Sequence, residues 1–399
     1  MFFRNKGFTI LFNGKNPCKK TRQRYLKNIY LNYFLFNFGK RSNFVTRYAI
    51  QKPETMIKKN LTLALIFLIS FTLYAQEKKL NIAIVAFYNV ENLYDTIDDP
   101  IKNDNEFLPT GTQKWNTDKF NLKLQRISEV ISKIGQDVVP DGPAVVGLSE
   151  IENRYVIEQL IETENLKSKN YGIVHYNSPD RRGVDVALIY QKNRFELEGS
   201  RPFTLKSSDT SFRTRDQLLV WGKLDGEEMY FLINHWPSRS GGEQRSAPRR
   251  KEAALLAKHI TDSLFAKNPD TKIFIMGDLN DDPTNASILK HLNAKGNLQD
   301  VSQGGLYNPM YKLFKNGVGS NAYRDAWDLF DQIIVSHALT GTDYSSYKLI
   351  KAKVFNEPFL QQKTGTFTGY PWRTAAGGQY IMGYSDHFPA YGILGREAK

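Results

Sequence analysis

The sequence predicts an α/β fold arranged as one large domain. Short apolar runs recur along the chain and are typical of buried strands, and a stretch of helical periodicity lies between two of them. No low-complexity linker, internal repeat or break in composition interrupts residues 76–399. We therefore expect a single domain over this range, long enough to bury most of its apolar surface.

Residues 56–75 have the layout of a secretory signal peptide. A basic segment at residues 56–59 precedes a nearly unbroken apolar run at residues 61–73, and Ala75 is a small residue at a cleavage position. The run of 13 residues is shorter than the roughly 20 that a membrane-spanning helix needs. We expect cleavage near Ala75 and Gln76, a secreted or periplasmic protein, and no stable membrane anchor.

The upstream segment, residues 1–55, accounts for most of the charge of the chain. Of 54 basic and 41 acidic residues, 14 and one lie within the first 75, so residues 76–399 carry 40 of each. The net charge of +13 is therefore no sign that the domain binds nucleic acid. We interpret residues 1–55 as a disordered, non-native extension from a start codon assigned too early, with a basic nucleic-acid-binding arm as the alternative. The only cysteine, Cys18, also lies here, so the domain has no disulfide framework.

The first predicted strands each lead to a polar side chain. Residues 82–88 form an apolar strand that ends at Asn89, which by itself is typical of a turn. A core-facing helix is predicted over residues 119–134. Strand 144–148 then leads to Glu150, which is costly to bury without a cation or donors. The alternative is an exposed charge that favours the helix after it.

Two further predicted strands, residues 171–176 and 184–190, flank a basic turn. Asp185 lies inside the second strand, where a carboxylate needs a partner such as a histidine. Asp180, in the turn, is the alternative candidate for the acidic partner of a histidine. Arg182, in the same turn, is a candidate for binding substrate.

Arginines follow the predicted strand that ends at His235. Arg239 lies in the polar loop directly after this strand, and Arg249 and Arg250 begin the next helix. Guanidinium groups near a histidine suit a phosphate-bearing ligand. A solvated helix face is an equal alternative for Arg249 and Arg250, whereas Arg239 is favoured as a substrate-binding residue.

The most informative stretch is the apolar strand at residues 273–276, followed by Gly277 and Asp278. Asp278 and Asn280 are two positions apart and project to the same side if the strand continues. Asp278 could then take a proton from water while Asn280 holds a neighbouring oxygen. The alternative is an Asx-rich turn that caps the next helix.

Two later strands repeat this pattern. Asp331 lies in the strand at residues 329–336, and Asp386 with His387 precedes the last strand, residues 390–394. An Asp-His pair in such a place can also be a turn cap. The recurrence of the pattern favours function.

The oxygen-bearing side chains predict a site for a hard divalent cation. Glu150 and Asp386 offer carboxylate ligands and Asn89 a neutral third. This set suits Mg²⁺ or Mn²⁺ better than zinc. Ca²⁺ is a further candidate.

Each of the two histidines has a candidate acidic partner. Asp185 is assigned to His235 and Asp331 to His387, which would fix each ring and keep it an imidazolium. No Gly-x-Ser-x-Gly motif accompanies these strands, so no serine nucleophile is predicted. The chemistry points to metal-assisted attack of water on phosphorus.

The order of these motifs resembles the endonuclease/exonuclease/phosphatase superfamily, which has a deoxyribonuclease-like fold. The resemblance covers nearly all of residues 80–395. Six motifs carry it: Tyr-Asn-Val-Glu-Asn around Asn89, Leu-Ser-Glu-Ile-Glu-Asn around Glu150, Ile-Asn-His-Trp around His235, Gly277-Asp278-Leu279-Asn280, Phe330-Asp331-Gln332-Ile333 and Ser385-Asp386-His387-Phe388-Pro389. The first two are similar to secreted bacterial nucleases of the superfamily.

The resemblance implies a four-layer α/β/β/α sandwich. Two central, mostly antiparallel sheets would be flanked by helices and carry the active site at one rim. Asn89 and Glu150 would hold the divalent metal ion, with Asp386 beside it. Asp278 would orient or deprotonate the attacking water, and Asn280 would align it.

The two histidines also receive roles from the resemblance. His235 and His387 would stabilise the phosphoryl oxygens and assist departure of the leaving group. The loop at residues 364–383, with Tyr370 and Trp372, is either a substrate-reading element that stacks on aromatic groups or a packed surface loop.

The expected function is that of a secreted, divalent-metal-dependent phosphodiesterase, acting as a monomer. A nuclease that hydrolyses DNA or RNA is the leading expectation, although the neutral domain weakens it. A phosphatase, or a phosphodiesterase acting on phospholipid or sugar phosphates, is the alternative within the superfamily. A non-catalytic binding module is the alternative outside it.

Overall fold

The structure, a computed structural model, describes residues 79–377 and 379–398. The predicted upstream extension, residues 1–55, and the predicted signal peptide, residues 56–75, lie outside the described residues and stay predictions. Glu77–Lys399 forms one compact unit. Across the described residues, no helix combines the length and apolar character needed to cross a membrane.

The strands of this unit are short apart from the first. In chain order they are β1 (Leu80–Leu93), β2 (Val145–Ile151), β3 (Tyr171–His175), β4 (Asp185–Gln191), β5 (Phe195–Phe203), β6 (Gln217–Leu224), β7 (Glu227–His235), β8 (Ile273–Asp278), β9 (Ala294–Lys295), β10 (Leu306–Tyr307), β11 (Asn321–Tyr323), β12 (Ala326–Asp328), β13 (Asp331–Ser336), β14 (Lys348–Val354), β15 (Ala375–Ala376), β16 (Gln379–Tyr380) and β17 (Ala390–Glu397).

Two of the helices are long. The α-helices are α1 (Thr117–Lys133), α2 (Arg154–Ile161), α3 (Glu164–Lys167), α4 (Glu243–Phe265) and α5 (Met310–Lys315). A π-helical segment spans Ser287–Leu292, and 3₁₀ turns span Asn105–Phe107, Leu298–Asp300, His337–Leu339 and Pro358–Leu360.

Two mixed sheets form the centre of the described chain. The first has the strand order β14-β17-β1-β2-β4-β3 and the second β5-β6-β7-β8-β13-β10-β9. The parallel neighbours are β1 with β2, β7 with β8 and β9 with β10, and the remaining neighbours are antiparallel. This confirms the expected pair of mostly antiparallel sheets.

Strand β1 shows how the sheets are stacked. Alternate side chains of a strand point to opposite faces, and in β1 both faces are apolar. Ala83, Val85 and Phe87 pack between the two sheets, whereas Ile84 and Ala86 pack under α1. A strand buried on both faces reads as a continuous apolar run.

Helices cover the two outer faces. Helix α1 contributes Phe120, Leu124 and Ile127 to the core on the outer face of the first sheet. Helix α4 contributes Ala253 and Ala257 to the core on the outer face of the second. The layers are therefore helix, sheet, sheet and helix, which confirms the α/β/β/α sandwich.

The register of the strands brings several predicted site residues to one edge. Asn89 pairs with Ser149 between β1 and β2. His235 pairs with Asp278 between β7 and β8, and Asp331 of β13 pairs with Asp278 from the other side. Three residues that are far apart in the chain are thus neighbours in the second sheet.

Candidate active site

Asp278 lies at the centre of the site. Its Oδ2 accepts a hydrogen bond from Asn89 Nδ2 at 3.0 Å and lies 3.5 Å from His235 Nε2 and 3.8 Å from His387 Nε2. Glu150 Oε1 approaches the same His235 nitrogen to 3.9 Å. The structure brings these five residues from both sheets to one rim.

A β-bulge aims Glu150 at this rim. On β2, Ser149 and Ile151 face consecutive residues of β4, so Glu150 is the extra residue of the strand. Its φ of 63° lies in the left-handed region, which is uncommon for a residue with a side chain. Such a bulge redirects one side chain out of the regular alternation.

The opposing segment of β1 is equally irregular. Glu91 and Asn92 also have left-handed backbones, with φ values of 51° and 58°. The Glu91 N–H donates to Asn89 Oδ1 at 3.0 Å, and the Asn92 N–H donates to Glu150 Oε2 at 2.9 Å. Backbone strain of about 1–3 kcal/mol per residue is typical of functional sites. Here the two strained residues donate the backbone hydrogen bonds that fix Asn89 and Glu150 relative to each other.

A carboxylate holds His387. Its Nδ1–H donates to Asp331 Oδ2 at 2.6 Å, and the same oxygen accepts from Ser320 Oγ at 2.6 Å. Burial opposes charge on the ring, but Asp331, Asp278 and Asp386 together raise the pKa of His387 well above its ordinary value. This shift favours the imidazolium form of His387, in line with the predicted pairing with Asp331.

The surroundings of His235 shift its pKa in the opposite direction. Its Nδ1 is buried and has no hydrogen-bond partner among the described residues. Burial, together with the positive charges of Arg215, Arg182 and His387, lowers the pKa of His235 well below its ordinary value. This shift is opposite to the expectation that His235 stays an imidazolium, and it favours the neutral ring.

The predicted partnership of Asp185 with His235 is also wrong. Asp185 Oδ2 lies 3.1 Å from Nε2 of His175, on the neighbouring strand β3. The competing residue, Asp180, forms an ion pair with Arg215 at 3.4 Å. Asp185 begins β4 in the first sheet, whereas His235 ends β7 in the second, so β3 supplies the nearer histidine.

Burial also changes the acidity of Asp278. Its side chain is 2 % exposed. Burial raises the pKa of Asp278 to about 6, with Asp331 adding to the rise and His387 opposing it. A carboxyl group whose pKa lies close to neutrality can accept and release a proton near pH 7.

Asn280 acts on Asp278 mainly through its backbone. The Asn280 N–H donates to Asp278 Oδ1 at 2.9 Å, while its Nδ2 donates to the Trp236 carbonyl oxygen at 3.0 Å. The strand ends at Asp278 and Asn280 has a φ of 50°, so the strand geometry assumed for this pair does not continue. The amide ties the loop after β8 to the loop after β7.

Arg239 braces an acidic loop instead of facing the site. Its Nη2 lies 3.0 Å from Asp282 and 3.5 Å from Asp281. Its Nη1 lies 3.5 Å from Asp328, and its Nε donates to the Asn280 carbonyl oxygen at 3.0 Å. Each guanidinium nitrogen is engaged, which corrects the prediction that Arg239 binds substrate.

Arg182 does lie at the rim. Its Nη2 is 3.6 Å from Glu150 Oε1, and its side chain is 46 % exposed. The structure therefore leaves this guanidinium accessible beside the site. Arg215, which has no motif around it, is buried and donates to the Trp236 carbonyl oxygen at 2.9 Å.

A model of the Endonuclease/Exonuclease/phosphatase family matches residues 84–396. The match spans well over half of the chain and includes all residues of the site. The protein belongs to this family. No curated protein matches the chain.

Three solved structures are similar at low identity. An endonuclease/exonuclease/phosphatase family protein from Bacteroides thetaiotaomicron has 18% identity and a TM-score of 0.48, covering 80% of this chain and 97% of its own. The mannosyl-6-phosphatase of Bacteroides thetaiotaomicron VPI-5482 has 18% identity and a TM-score of 0.47, covering 78% and 99%. TDP2 of D. rerio, complexed with single strand DNA product, has 14% identity and a TM-score of 0.47, covering 79% and 99%.

Members of the family are phosphoric ester hydrolases and generally depend on a divalent metal ion. Among residues 79–377 and 379–398, no group of three or more His, Cys, Asp or Glu side chains is placed to hold a metal ion. The predicted metal ligands are two acids, Glu150 and Asp386, and the Asn89 amide. The predicted site therefore does not require three His, Cys, Asp or Glu side chains.

The chemistry of these donors fits a hard divalent ion. Glu150 Oε1 has Arg182 at 3.6 Å and His235 at 3.9 Å, both beyond hydrogen-bond distance. The Asp386 carboxylate has its charged neighbours at 3.8 and 3.9 Å. Carboxylate oxygens whose charged neighbours lie beyond hydrogen-bond distance can bind Mg²⁺, Mn²⁺ or Ca²⁺, which prefer oxygen ligands.

Two buried charged residues near the site were missed by the sequence reasoning. Glu91 accepts a hydrogen bond from the Thr374 N–H at 2.6 Å, and burial together with Asp386 raises its pKa to about 7. Lys123 of α1 is fully buried and donates to the Tyr384 carbonyl oxygen at 2.8 Å. A lysine within the apolar stripe of a helix was the available signal.

Proposed function

We propose that the protein hydrolyses phosphoric esters with the help of a divalent metal ion, with Asp278 as the base that activates water. One observation carries this proposal: Asp278 Oδ2 lies 3.5 Å from His235 Nε2 and 3.8 Å from His387 Nε2. A buried carboxylate with a raised pKa, flanked by hydrogen-bond donors, is suited to activating water next to a negatively charged phosphoryl group.

Each residue then has a distinct part in the reaction. The water oxygen bonds to phosphorus as Asp278 takes its proton, and the ester P–O bond breaks to release an alkoxide, which takes a proton from solvent water to become the alcohol. Attacking and leaving oxygens lie in line on opposite sides of phosphorus. His387 is too close to the base to reach the leaving oxygen, so we assign its imidazolium to the other phosphoryl oxygens. His235 is a poor base because of its low pKa, and serves as a neutral donor.

The proposed metal donors are Glu150, Asp386 and Asn89. A divalent ion held there would supply positive charge to the phosphoryl oxygens. The Asn89 Oδ1 already accepts the Glu91 N–H, but an amide oxygen has a second lone pair. Arg182 adds a positive charge at the exposed side of Glu150.

Metal removal tests the proposed function. The purified protein is expected to hydrolyse p-nitrophenyl phosphate or bis(p-nitrophenyl) phosphate with Mg²⁺, Mn²⁺ or Ca²⁺, to stop in EDTA, and to recover when the ion is restored. Glu150→Gln should raise the ion concentration needed for half-maximal rate by about tenfold or more, because a charged ligand is lost. No hydrolysis with any of the three ions, or full activity in EDTA, would overturn the proposal.

The pH profile tests the charged state of His387. In Asp331→Asn the pKa of His387 falls, because the carboxylate that raises it is gone. The imidazolium is then lost at a lower pH, so the basic limb of kcat/KM should shift toward acid. Asp262→Asn, whose carboxylate pairs with Lys258 on an exposed helix face, should leave the profile unchanged. An unshifted basic limb in Asp331→Asn would contradict the assignment of charge.

A nuclease acting on single strands is the second candidate function. Exposed aromatic rings lie on β11 and β12: Tyr323 is 62% exposed and Trp327 37%. Trp327 stacks on Phe388, the residue after His387, with 6.1 Å between ring centroids. The loop at residues 364–383 contributes Tyr370, which packs against Trp327. Nucleic-acid bases stack on such rings. Single-stranded DNA and RNA therefore belong in the substrate panel.

We also propose that the protein is secreted or periplasmic. The support is the signal-peptide layout of residues 56–75. Protein recovered outside the cytoplasm should begin at or near Gln76 by N-terminal sequencing. An intact leader on all recovered protein would contradict this.

A further inference from the structure

A cleft of about 260 Å³ opens beside Glu150 and shares only Arg182 with the chemistry described above. Its walls are aromatic on one side and acidic or amide-bearing on the other. The lining residues that matter here are Glu91, Asn92, Glu106, Trp115, Arg182 and Tyr380.

The aromatic wall is rigid. Tyr94 and Phe107 stack with 4.3 Å between ring centroids, and Trp115 meets Phe107 and Tyr380 edge-on at 6.1 and 5.8 Å. The Trp115 Nε1–H donates to the Tyr94 carbonyl oxygen at 2.9 Å, which fixes the indole. Tyr94 and Trp115 are buried and support Phe107 and Tyr380, which are part-exposed and offer apolar contacts to a ring.

The polar wall retains unused hydrogen-bonding capacity. Glu91 uses Oε2 to accept the Thr374 N–H at 2.6 Å. Glu106 Oε1 accepts from Gln113 Nε2 at 2.8 Å. Within the part of the chain that the structure describes, the side-chain amides of Asn92 and Asn103 make no hydrogen bond. Carboxylates accept hydrogen bonds and amides both donate and accept them, which matches the needs of hydroxyl groups.

The cleft is joined directly to the proposed active site. Arg182 lines it and also lies 3.6 Å from Glu150 Oε1. The Tyr94 hydroxyl donates to the Arg182 carbonyl oxygen at 2.8 Å, so one wall of the cleft positions this arginine. A substrate whose phosphoryl group lies next to Asp278 would have the rest of its structure within reach of the cleft.

Charge and size limit what the cleft can hold. Two carboxylates, Glu91 and Glu106, face one guanidinium, Arg182, so a second phosphate group is disfavoured. The volume is just below the roughly 300 Å³ at which ligand pockets usually begin, so one small ring fills it. A nucleic-acid strand needs a longer and more basic channel.

We infer that this cleft binds the polyhydroxylated part of a small phosphoric ester, such as a sugar phosphate, and so selects the substrate. The inference rests on the proposed function, since the phosphoryl group must lie at Asp278. Hydroxyl groups would pair with the acidic and amide side chains while the ring lies against the aromatic wall. Hydrolysis would release the free sugar and inorganic phosphate.

The test compares esters that share a phosphoryl group. We expect kcat/KM of the purified protein for the best member of a panel of hexose, pentose and inositol phosphates to exceed that for phenyl phosphate by about tenfold or more. Asn103→Ala should raise KM for that sugar phosphate by about tenfold, with kcat and phenyl phosphate turnover little changed, because a lost hydrogen bond matters only to the hydroxyl groups. Tyr380→Ala should raise KM for both esters, because either ring lies against the aromatic wall. Tyr176→Ala, an exposed tyrosine on another surface, serves as the matched control.

The outcomes separate the two proposals. If no ester is hydrolysed, including phenyl phosphate, the proposed function fails and the inference fails with it. If phenyl phosphate is hydrolysed but no sugar phosphate is preferred, or both variants match the wild type, only the inference is overturned. Preference for single-stranded DNA or RNA over all small esters also overturns it. Calorimetry on Asp278→Asn should show binding of the preferred sugar phosphate without turnover. Adding Tyr380→Ala to that variant should weaken the binding. Thermal melts of both proteins distinguish a lost contact from a folding defect.

Discussion

Asp278→Asn is expected to lower kcat for bis(p-nitrophenyl) phosphate by about 10²- to 10⁴-fold. The amide keeps the shape of the side chain but cannot take a proton from water. KM should change little, because the phosphoryl group is held by His387, Arg182 and the metal ion. Steady-state kinetics at saturating metal and near-neutral pH would measure the effect.

The same substitution should not destabilise the fold. Burial raises the pKa of Asp278 to about 6 from an ordinary value near 3.8, so its ionised form is disfavoured in the folded state. This group therefore costs stability as pH rises through that interval, and a neutral asparagine removes the cost. A Tm at pH 7 equal to or above the wild type is expected. Asp300→Asn, an exposed acid, should affect neither rate nor Tm. Unchanged kcat in Asp278→Asn would contradict its role.

Arg250→Met is expected to lower the free energy of unfolding by about 3–5 kcal/mol. Arg250 is fully buried, and its Nε lies 2.7 Å from Asp281 Oδ1 in an ion pair whose N–H geometry is off-line for a hydrogen bond. Its Nη1 donates to Ser246 Oγ at 2.8 Å. Removing the guanidinium leaves the buried carboxylate of Asp281 with less compensation. Urea unfolding would measure the loss.

Arg249→Met is the matched control for that prediction. Arg249 is the neighbouring residue on α4, and its ion pair with Asp209 joins two side chains that are 43% and 45% exposed. Exposed pairs contribute about 0–1 kcal/mol. Equal effects of the two substitutions would contradict the account of Arg250 as the anchor of the loop after β8. The sequence had left a solvated helix face equally open for both arginines, and only Arg249 matches it.

The strand ends were predictable because apolar runs are local signals. β1 and β8 were each recognised from consecutive apolar residues, and each carries a functional side chain just after that run, although β1 continues past Asn89 to Leu93. The register that places Asp331 opposite Asp278 is set by contacts between distant strands, which local patterns do not encode. The pairing of His387 with Asp331 was nevertheless predicted from the residue types, because a carboxylate can fix the orientation of an imidazole ring and keep it charged.

The prediction that Asp185 pairs with His235 was wrong for the same physical reason. A carboxylate inside an apolar strand correctly signalled a partner, but its identity depends on which strand lies alongside. β3 is that neighbour, and it presents His175. His235 is left with Asp278 and Glu150 at 3.5 and 3.9 Å, and burial together with nearby cations lowers its pKa.

The arginines show a further limit of sequence reasoning. Arg239 was favoured as a phosphate ligand because it follows His235 closely, yet proximity in sequence does not fix the direction of a long side chain. The acidic pair Asp281 and Asp282, next to Asn280, was the signal that a cation would be needed there. Arg215 had no local motif at all, and its position depends on the packing of β6 against β7.

The central claim is that Asp278 and His387 act on one phosphoryl group. A double-mutant cycle on kcat/KM with Asp278→Asn, His387→Gln and the double variant measures this directly. The effects of substituting residues that act as a unit are strongly non-additive. The double variant should therefore be only slightly less active than the less active of the two single variants. Losses that multiply, as for two independent sites, would contradict the account.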